Sequence, residues 1–318
     1  MTHSKPDAPF FERIALVGIG LIGSSISLAA RRAGLVGEVI GCARSAATRD
    51  RALELGLVDH VFADPREAVE GADLIVLCSP VGTFSGIAEA ISTAISPGCI
   101  VTDVGSVKGA VVRDVGPHVP DNAHFVPCHP VAGTEYSGPD AGFAELFDNR
   151  WCILTPPAGA DPAAVEKLDR FWQLCGAKTE TMDANHHDLV LAITSHVPHL
   201  IAYNIVGTAE DLETVTQSEV IKYSAGGFRD FTRIAASDPV MWRDIFLNNK
   251  EAVLEMLGRF NEDLSALQRA IRWSDGDALE SLFSRTRTIR QGIIDAGQET
   301  PEADFGRGPE QHSSGDES

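Results

Sequence analysis

The chain has no excess of basic residues: 26 Lys and Arg stand against 45 Asp and Glu, a formal net charge of −19. Surfaces that hold nucleic acid or anionic membrane need clustered cations, so neither is expected as a partner. There is no Cys-x-x-Cys pair. The six cysteines, Cys42, Cys78, Cys99, Cys128, Cys152 and Cys175, lie far apart, mostly within strand-like runs. That fits free, buried thiols in a reducing cytosol, and it leaves a metal without a ligand spacing. No apolar run reads as long enough to cross a membrane. The opening Met1-Thr2-His3-Ser4-Lys5-Pro6-Asp7 lacks the charged head and apolar core of a signal peptide. The expectation is a cytoplasmic protein with a sizeable core and two domains.

What is present starts with a glycine turn. The apolar run Ile14-Ala15-Leu16-Val17 leads into Gly18-Ile19-Gly20-Leu21-Ile22-Gly23, and Ser24 to Arg32 reads as a helix. Strand, glycine turn, helix is the context in which G-x-G-x-x-G marks a dinucleotide site. Gly18 permits the tight turn, Gly20 lets backbone approach a pyrophosphate, and Gly23 lets helix and strand pack. The N–H groups from Leu21 and Ile22 onward offer the phosphates a helix N-terminus. About 20 residues on, where an NAD enzyme usually places a ribose-binding carboxylate, stand Ala43, Arg44 and Ser45. A missing carboxylate and an adjacent guanidinium lean toward NADP over NAD, with dual use open; alternatively, Arg44 stacks on adenine or faces water.

Further strand–helix units follow. Ala72 to Cys78 is a buried strand ending in Ser79-Pro80, a second turn on the cofactor side, and Gly98 to Asp103 leads into Val104-Gly105-Ser106. The run His124-Phe125-Val126-Pro127 then places His129 at a strand end, and Trp151–Thr155 and Lys178–Met182 could add antiparallel strands at the sheet edge. This predicts an α/β Rossmann-type domain over 10–183 with a mainly parallel, doubly wound sheet.

After Asp183 the pattern turns helical, predicting an all-α domain over 184–297 and a disordered acidic tail over 298–318. Asn185 to Val206 is one apolar-periodic segment carrying His186, His187, His196 and His199, and Pro198 should kink it. His187 and His196, nine apart, fall about half a turn out of phase on a regular helix, which argues against a metal site. Beyond a helix start at Ser237-Asp238-Pro239, a long helix shows Phe246, Val253, Leu257, Phe260, Leu264, Leu267 and Ile271 as an apolar seam. The seam serves either the chain's own core or a dimer.

A nicotinamide cofactor implies hydride transfer, and a substrate hydroxyl then needs a base. His129 suits that role, since imidazole titrates near neutral pH; otherwise it is a satisfied histidine at a strand end. Ser106 either hydrogen-bonds His129 and the substrate or caps the helix from Val107. Arg233, behind Gly226-Gly227, either clamps a substrate carboxylate or pairs with Asp230 or Asp238.

Four motifs in order carry a resemblance: Asp103-Val104-Gly105-Ser106-Val107-Lys108; His129-Pro130-Val131-Ala132-Gly133-Thr134-Glu135; Ser195-His196-Val197-Pro198-His199; and Asp230-Phe231-Thr232-Arg233. With Asp238-Pro239-Val240-Met241-Trp242 downstream, the chain resembles the prephenate/arogenate (cyclohexadienyl) dehydrogenase family from Glu12 to Gly292. The resemblance implies NAD(P)-dependent oxidative decarboxylation of prephenate to 4-hydroxyphenylpyruvate, or of arogenate to tyrosine. It implies that His129 pairs with the ring hydroxyl, Ser106 orients it, and His199 and Arg233 hold the carboxylates. His187 and His196 line or support the pocket, with Thr134, Glu135 and Asp230 around it. Trp242 closes the site and reaches toward a second subunit. The helical domain would form a homodimer, and tyrosine would inhibit at or near the site. Prephenate and arogenate differ by a keto group against an amine, whose charge Asp230 would attract unless it pairs with Arg229 or Arg233. Two rivals keep the fold without this chemistry. One is a hydroxyacid or imine reductase using a helical-domain lysine such as Lys222, and the other is a dinucleotide-sensing module with no catalytic base.

Overall fold

The computed structural model describes residues 8–134, 136–211 and 226–295. The tail from Gln298 therefore lies outside the described residues. Two compact units make up the chain, one to Val253 and one from Leu254.

In the first unit, strands β1 (Phe11–Val17), β2 (Val36–Cys42), β3 (His60–Phe62), β4 (Leu74–Leu77), β5 (Ile100–Asp103) and β6 (His124–Phe125) form one parallel sheet. Its order is β3-β2-β1-β4-β5-β6. Helices α1 (Leu21–Arg32), α2 (Ala46–Glu54), α3 (Pro65–Val69), α4 (Phe84–Ile91) and α5 (Lys108–Val115) connect these strands. Residues along β1 alternate between two cores: Ile14 and Leu16 join the layer under α1, while Ala15 and Val17 join the opposite one. A sheet covered on both faces needs strands apolar at nearly every position, and β4 and the Ile14–Val17 part of β1 meet that need. The order reverses between β1 and β4, which opens a crevice at their carboxyl ends.

The last strands form a second sheet of their own, rather than an edge on the first. In it β7 (Cys128–Pro130) runs antiparallel to β8 (Trp151–Leu154), which runs parallel to β9 (Lys178–Thr181) beyond α6 (Pro162–Leu174). Val126 still bonds β5 through its N–H, but the Pro127 carbonyl accepts from Thr155. Pro127 has no N–H to continue the first ladder, so the chain changes sheets there. His129 consequently lies within β7, opposite Ile153, and not at the end of a strand.

A continuous helical stretch follows, comprising α7 (Ala184–Leu191), a π-helical turn (Ala192–His196) and α8 (Val197–Asp211). By length and composition this stretch could cross a membrane, which corrects the expectation that no segment qualifies. It is nevertheless part of the first unit and carries the fully buried His187 and His196. The π turn lies just ahead of Pro198, whose ring and missing N–H break the regular ladder. Its wider winding changes the phase between His187 and His196.

α9 (Gly226–Thr232) and a single 3₁₀ turn (Arg233–Ala236) lead to α10 (Pro239–Asn248). Asp238 caps α10 by accepting from Val240 and Met241, both at 2.8 Å. The long helix expected from Asp238 is broken at Asn249, so Phe246 belongs to α10 and the seam to α11 (Lys250–Arg272). In the second unit, α11 continues and α12 (Gly276–Asp295) follows. Leu264, Ile271, Phe283 and Ile289 are exposed there.

Candidate active site

The glycine turn after β1 has the geometry of a dinucleotide cradle. Gly18 has φ +110°, and a Cβ there would sit 2.7 Å from the backbone of Cys78 and Ser79. A Cβ on Gly23 would collide with the Gly18 carbonyl, whereas one on Gly20 would meet nothing within 4 Å. Two glycines are thus needed by the fold, and the third keeps a space open. Gly20 is also the N-cap of α1, with no side-chain cap and no acid in the first turn. The orphan N–H groups that begin at Leu21 and Ile22 suit a diphosphate. Across the crevice the Ser79 and Thr83 hydroxyls are 2.8 Å apart, and Thr83 donates to the Pro80 carbonyl.

At the end of β2, Arg49 donates to the carbonyls of Ala43 and Arg44, each at 2.8 Å, and fixes this loop. Ser45 caps α2, accepting from Thr48. Arg44 is exposed, and its guanidinium has no ion-pair partner among the described residues. Sequence reasoning missed Arg49, although a second arginine five residues past Arg44, at the start of α2, was a usable signal.

His129 is 7% exposed. Its Nδ1 lies 2.9 Å from Nε2 of His187, whose Nδ1 lies 2.8 Å from Oδ1 of Asp188. Burial, His187, Lys108 and His196 together hold the His129 imidazole well below the usual histidine range. Burial likewise lowers His187. Beneath His129, the fully buried Lys108 pairs with Asp103 and donates to the Cys128 carbonyl at 2.6 Å. Burial raises the Asp103 carboxyl, while Lys108 and the N–H of Gly105 oppose that rise. Asp103 and Lys108 stand five residues apart in the Asp103–Lys108 motif, with no role evident from sequence alone. Their fixed spacing across a strand end was the available clue.

Ser106 lies two residues ahead of α5. It makes no hydrogen bond to His129 among the described residues, and it does not cap α5. Asp188 caps that helix from 80 residues away, accepting from Lys108 N at 2.7 Å and Gly109 N at 2.8 Å. The short lead-in through Ser106 leaves its hydroxyl outside the first turn, while a remote carboxylate satisfies the helix.

His196 is fully buried, and its Nδ1 lies 3.0 Å from Asn249 Nδ2. Burial pushes it down to about 4. Its Nε2 has no hydrogen-bond partner in the described structure; the Ser106 backbone pulls weakly the other way without meeting hydrogen-bond geometry. His199 donates from Nδ1 to the Ser195 carbonyl at 2.8 Å and stacks on Trp242. Burial lowers His199 as well, and the nearby Arg233 lowers it further.

Trp242 is buried against His199, His196 and Phe246 of its own chain. Asp230 is exposed on α9, and Thr134 accepts from the Tyr136 N–H in a loop turn. Glu135 and Lys222 lie outside the described residues.

Residues 26–181 match the model of the prephenate dehydrogenase nucleotide-binding domain, and 183–285 match the prephenate dehydrogenase dimerization domain. The chain belongs to the prephenate dehydrogenase family. It is 42% identical to a cyclohexadienyl dehydrogenase of Zymomonas mobilis over 283 residues, covering 89% of this chain and 96% of that one. A crystal structure of Aquifex aeolicus prephenate dehydrogenase with hydroxyphenyl propionate and NAD+ superposes with a TM-score of 0.81 at 35% identity. The match covers 89% of this chain and 98% of the other. Synechocystis arogenate dehydrogenase gives a TM-score of 0.73 at 28% identity, covering 88% and 99%. This chain is accordingly an oxidoreductase with a nucleotide-binding domain, and the glycine cradle fits NAD or NADP.

Proposed function

We propose that the chain catalyses NAD(P)-dependent oxidative decarboxylation of prephenate, arogenate or both, in the formation of tyrosine. Residues 10–183 bind the dinucleotide; residues 184–297 complete the substrate site and form a homodimer. The observation that carries this reading is a buried His129 held neutral, with Nδ1 engaged by His187 and Nε2 unengaged by any described residue.

Gly18, Gly20, Leu21, Ile22 and Gly23 hold the diphosphate, Ala43, Arg44 and Ser45 the adenosine ribose, and Ser79 and Pro80 the opposite wall. When bound, the nicotinamide supplies the hydride acceptor. His129 Nε2 accepts the ring hydroxyl, and Ser106 orients it. As hydride leaves the carbon bearing that hydroxyl, positive charge grows there, and His129 spreads it by drawing on the proton. Loss of CO2 returns an electron pair to the ring, which becomes aromatic, and the phenol retains its proton. His199 and Arg233 hold the carboxylates, Trp242 backs His199, and His196 supports the wall with Thr134 and Glu135.

The exposed Arg44, whose guanidinium has no ion-pair partner among the described residues, favours NADP over NAD. Asp230 on the exposed face of α9 suits an ammonium, which keeps arogenate beside prephenate. The exposed apolar residues of α11 and α12 support dimerisation. Tyrosine, a product analogue with the same phenol and carboxylate, would compete at the site. The deciding assay incubates the protein with prephenate or arogenate and NAD or NADP, and follows reduced nicotinamide by absorbance. Turnover with at least one pair is expected; none with any pair overturns the reading.

A further inference from the structure

Asp188 is tied to more of the site than any residue the sequence pointed to. Its Oδ1 accepts from Lys108 N at 2.7 Å and meets His187 Nδ1 at 2.8 Å, while Oδ2 accepts from Gly109 N at 2.8 Å. Its own carbonyl accepts from Asn249 Nδ2, also at 2.8 Å. A Cβ on Gly109 would come within 2.9 Å of Oδ2, so the cap and the helix start are fitted closely to each other.

We infer that Asp188 and His187 are positioning residues that set the tautomer of His129, so that its Nε2 faces the substrate as a lone pair. The inference rests on the reading of His129 as the group that accepts the ring hydroxyl. The logic is a chain of donors and acceptors. A carboxylate bonded to two backbone N–H groups has only lone pairs left to offer, so His187 Nδ1 carries the proton. A neutral His187 then presents a lone pair at Nε2. His129 Nδ1, 2.9 Å away, must donate to it. With its proton on Nδ1, neutral His129 has only a lone pair at Nε2. The opposite chain would set two lone pairs face to face between Asp188 and His187.

The same contacts join the two halves of the site. Asp188 holds the start of α5, two residues after Ser106, and through His187 it holds the ring of His129. The hydroxyl and the imidazole therefore share one anchor. When His129 draws on the substrate proton, its growing charge is met through His187 by the Asp188 carboxylate, which offsets the nearby Lys108 ammonium.

Histidine-selective ¹⁵N NMR of the intact protein tests this directly, with the His129 signals assigned from a His129→Asn variant. Wild type should show a protonated, pyrrole-type Nδ1 and an imine-type Nε2; the reverse pattern overturns the proposal. Asp188→Asn can donate an amide proton to His187 and so invert the chain, and it should move His129 toward Nε2–H. Because that variant also alters a helix cap, His187 gives the kinetic test. His187→Leu should lower kcat about 100-fold with KM and dinucleotide affinity nearly unchanged. His187→Gln, whose Oε1 can still accept from His129, should recover about tenfold of that loss. Equal rates for Leu and Gln, or a Leu variant near wild type, overturn the proposal. A His129→Asn variant that turns over normally would instead remove the base assignment, which separates the two failures.

Discussion

The rings of His199 and Trp242 are stacked, with centroids 3.7 Å apart and planes 23° from parallel. With its Nδ1 committed to the Ser195 carbonyl, His199 has only Nε2 left for the carboxylate contact proposed above, and the indole face fixes where that nitrogen points. Trp242→Phe preserves a flat face and should change KM by less than about threefold, since a ring pair contributes roughly 0.5–1.5 kcal/mol. Trp242→Ala removes the wall and should raise KM about tenfold while costing about 3–5 kcal/mol of stability. Initial rates and urea unfolding read the two effects separately, and an unchanged KM in the Ala variant would detach Trp242 from the site.

Gly20 and Gly23 should respond in opposite ways to the same methyl group. Gly20→Ala meets open space at an ordinary backbone angle, so Tm should stay within about 2 °C while dinucleotide affinity falls. Gly23→Ala drives a Cβ into the Gly18 carbonyl, so the domain itself should lose several °C in Tm. Thermal unfolding alongside fluorescence titration with NADP compares them. A Gly20 variant that binds normally would show that the open space is not where the diphosphate lies.

Much of this was legible in the chain because its signals are local. The glycine turn, the apolar runs of β1 and β4, and the Asp238-Pro239 helix start each sit within a few consecutive residues. What escaped sequence reasoning depends on partners far apart in sequence. The sheet change at Pro127 requires knowing that Thr155 will take its carbonyl. The break at Asn249 is explained by bonds to Asp188 and His196, 61 and 53 residues away. The half-turn mismatch of His187 and His196 assumed a regular helix, and the π turn removed that assumption. Asp188 carries no local signal of its role; only the fold brings it to the start of α5.

Arg44 sets the expected cofactor preference. Arg44→Ser should lower kcat/KM for NADP about 10- to 100-fold, the equivalent of a charge-assisted contact of roughly 1.5–3 kcal/mol, and leave NAD nearly untouched. Arg49 should be left in place, because it holds the loop through two carbonyls and its loss would disturb both cofactors. Steady-state kinetics with each cofactor decide the point. A wild-type enzyme that strongly prefers NAD would reverse the assignment of Arg44.

Acid should destabilise the protein before its carboxylates titrate. His129, His187, His196 and His199 are all lowered in the fold, chiefly by burial, so the unfolded chain binds more protons than the folded one below about pH 6.5. The sign follows: stability is full above the unfolded value and is lost as pH falls from there. For His196, at about 4 in the fold, the window runs from pH 6.5 down to 4 and spans about 3 kcal/mol. Asp103 has the opposite sign, since its carboxyl is raised and its share of stability fades as pH increases; one group against four histidines leaves the net slope positive. Tm should therefore fall between pH 7 and 5, and His196→Gln should flatten that fall by removing one titrating ring. A Tm that is level or rising toward pH 5 would mean that these histidines are charged in the native protein, and the neutral base at His129 could not then stand.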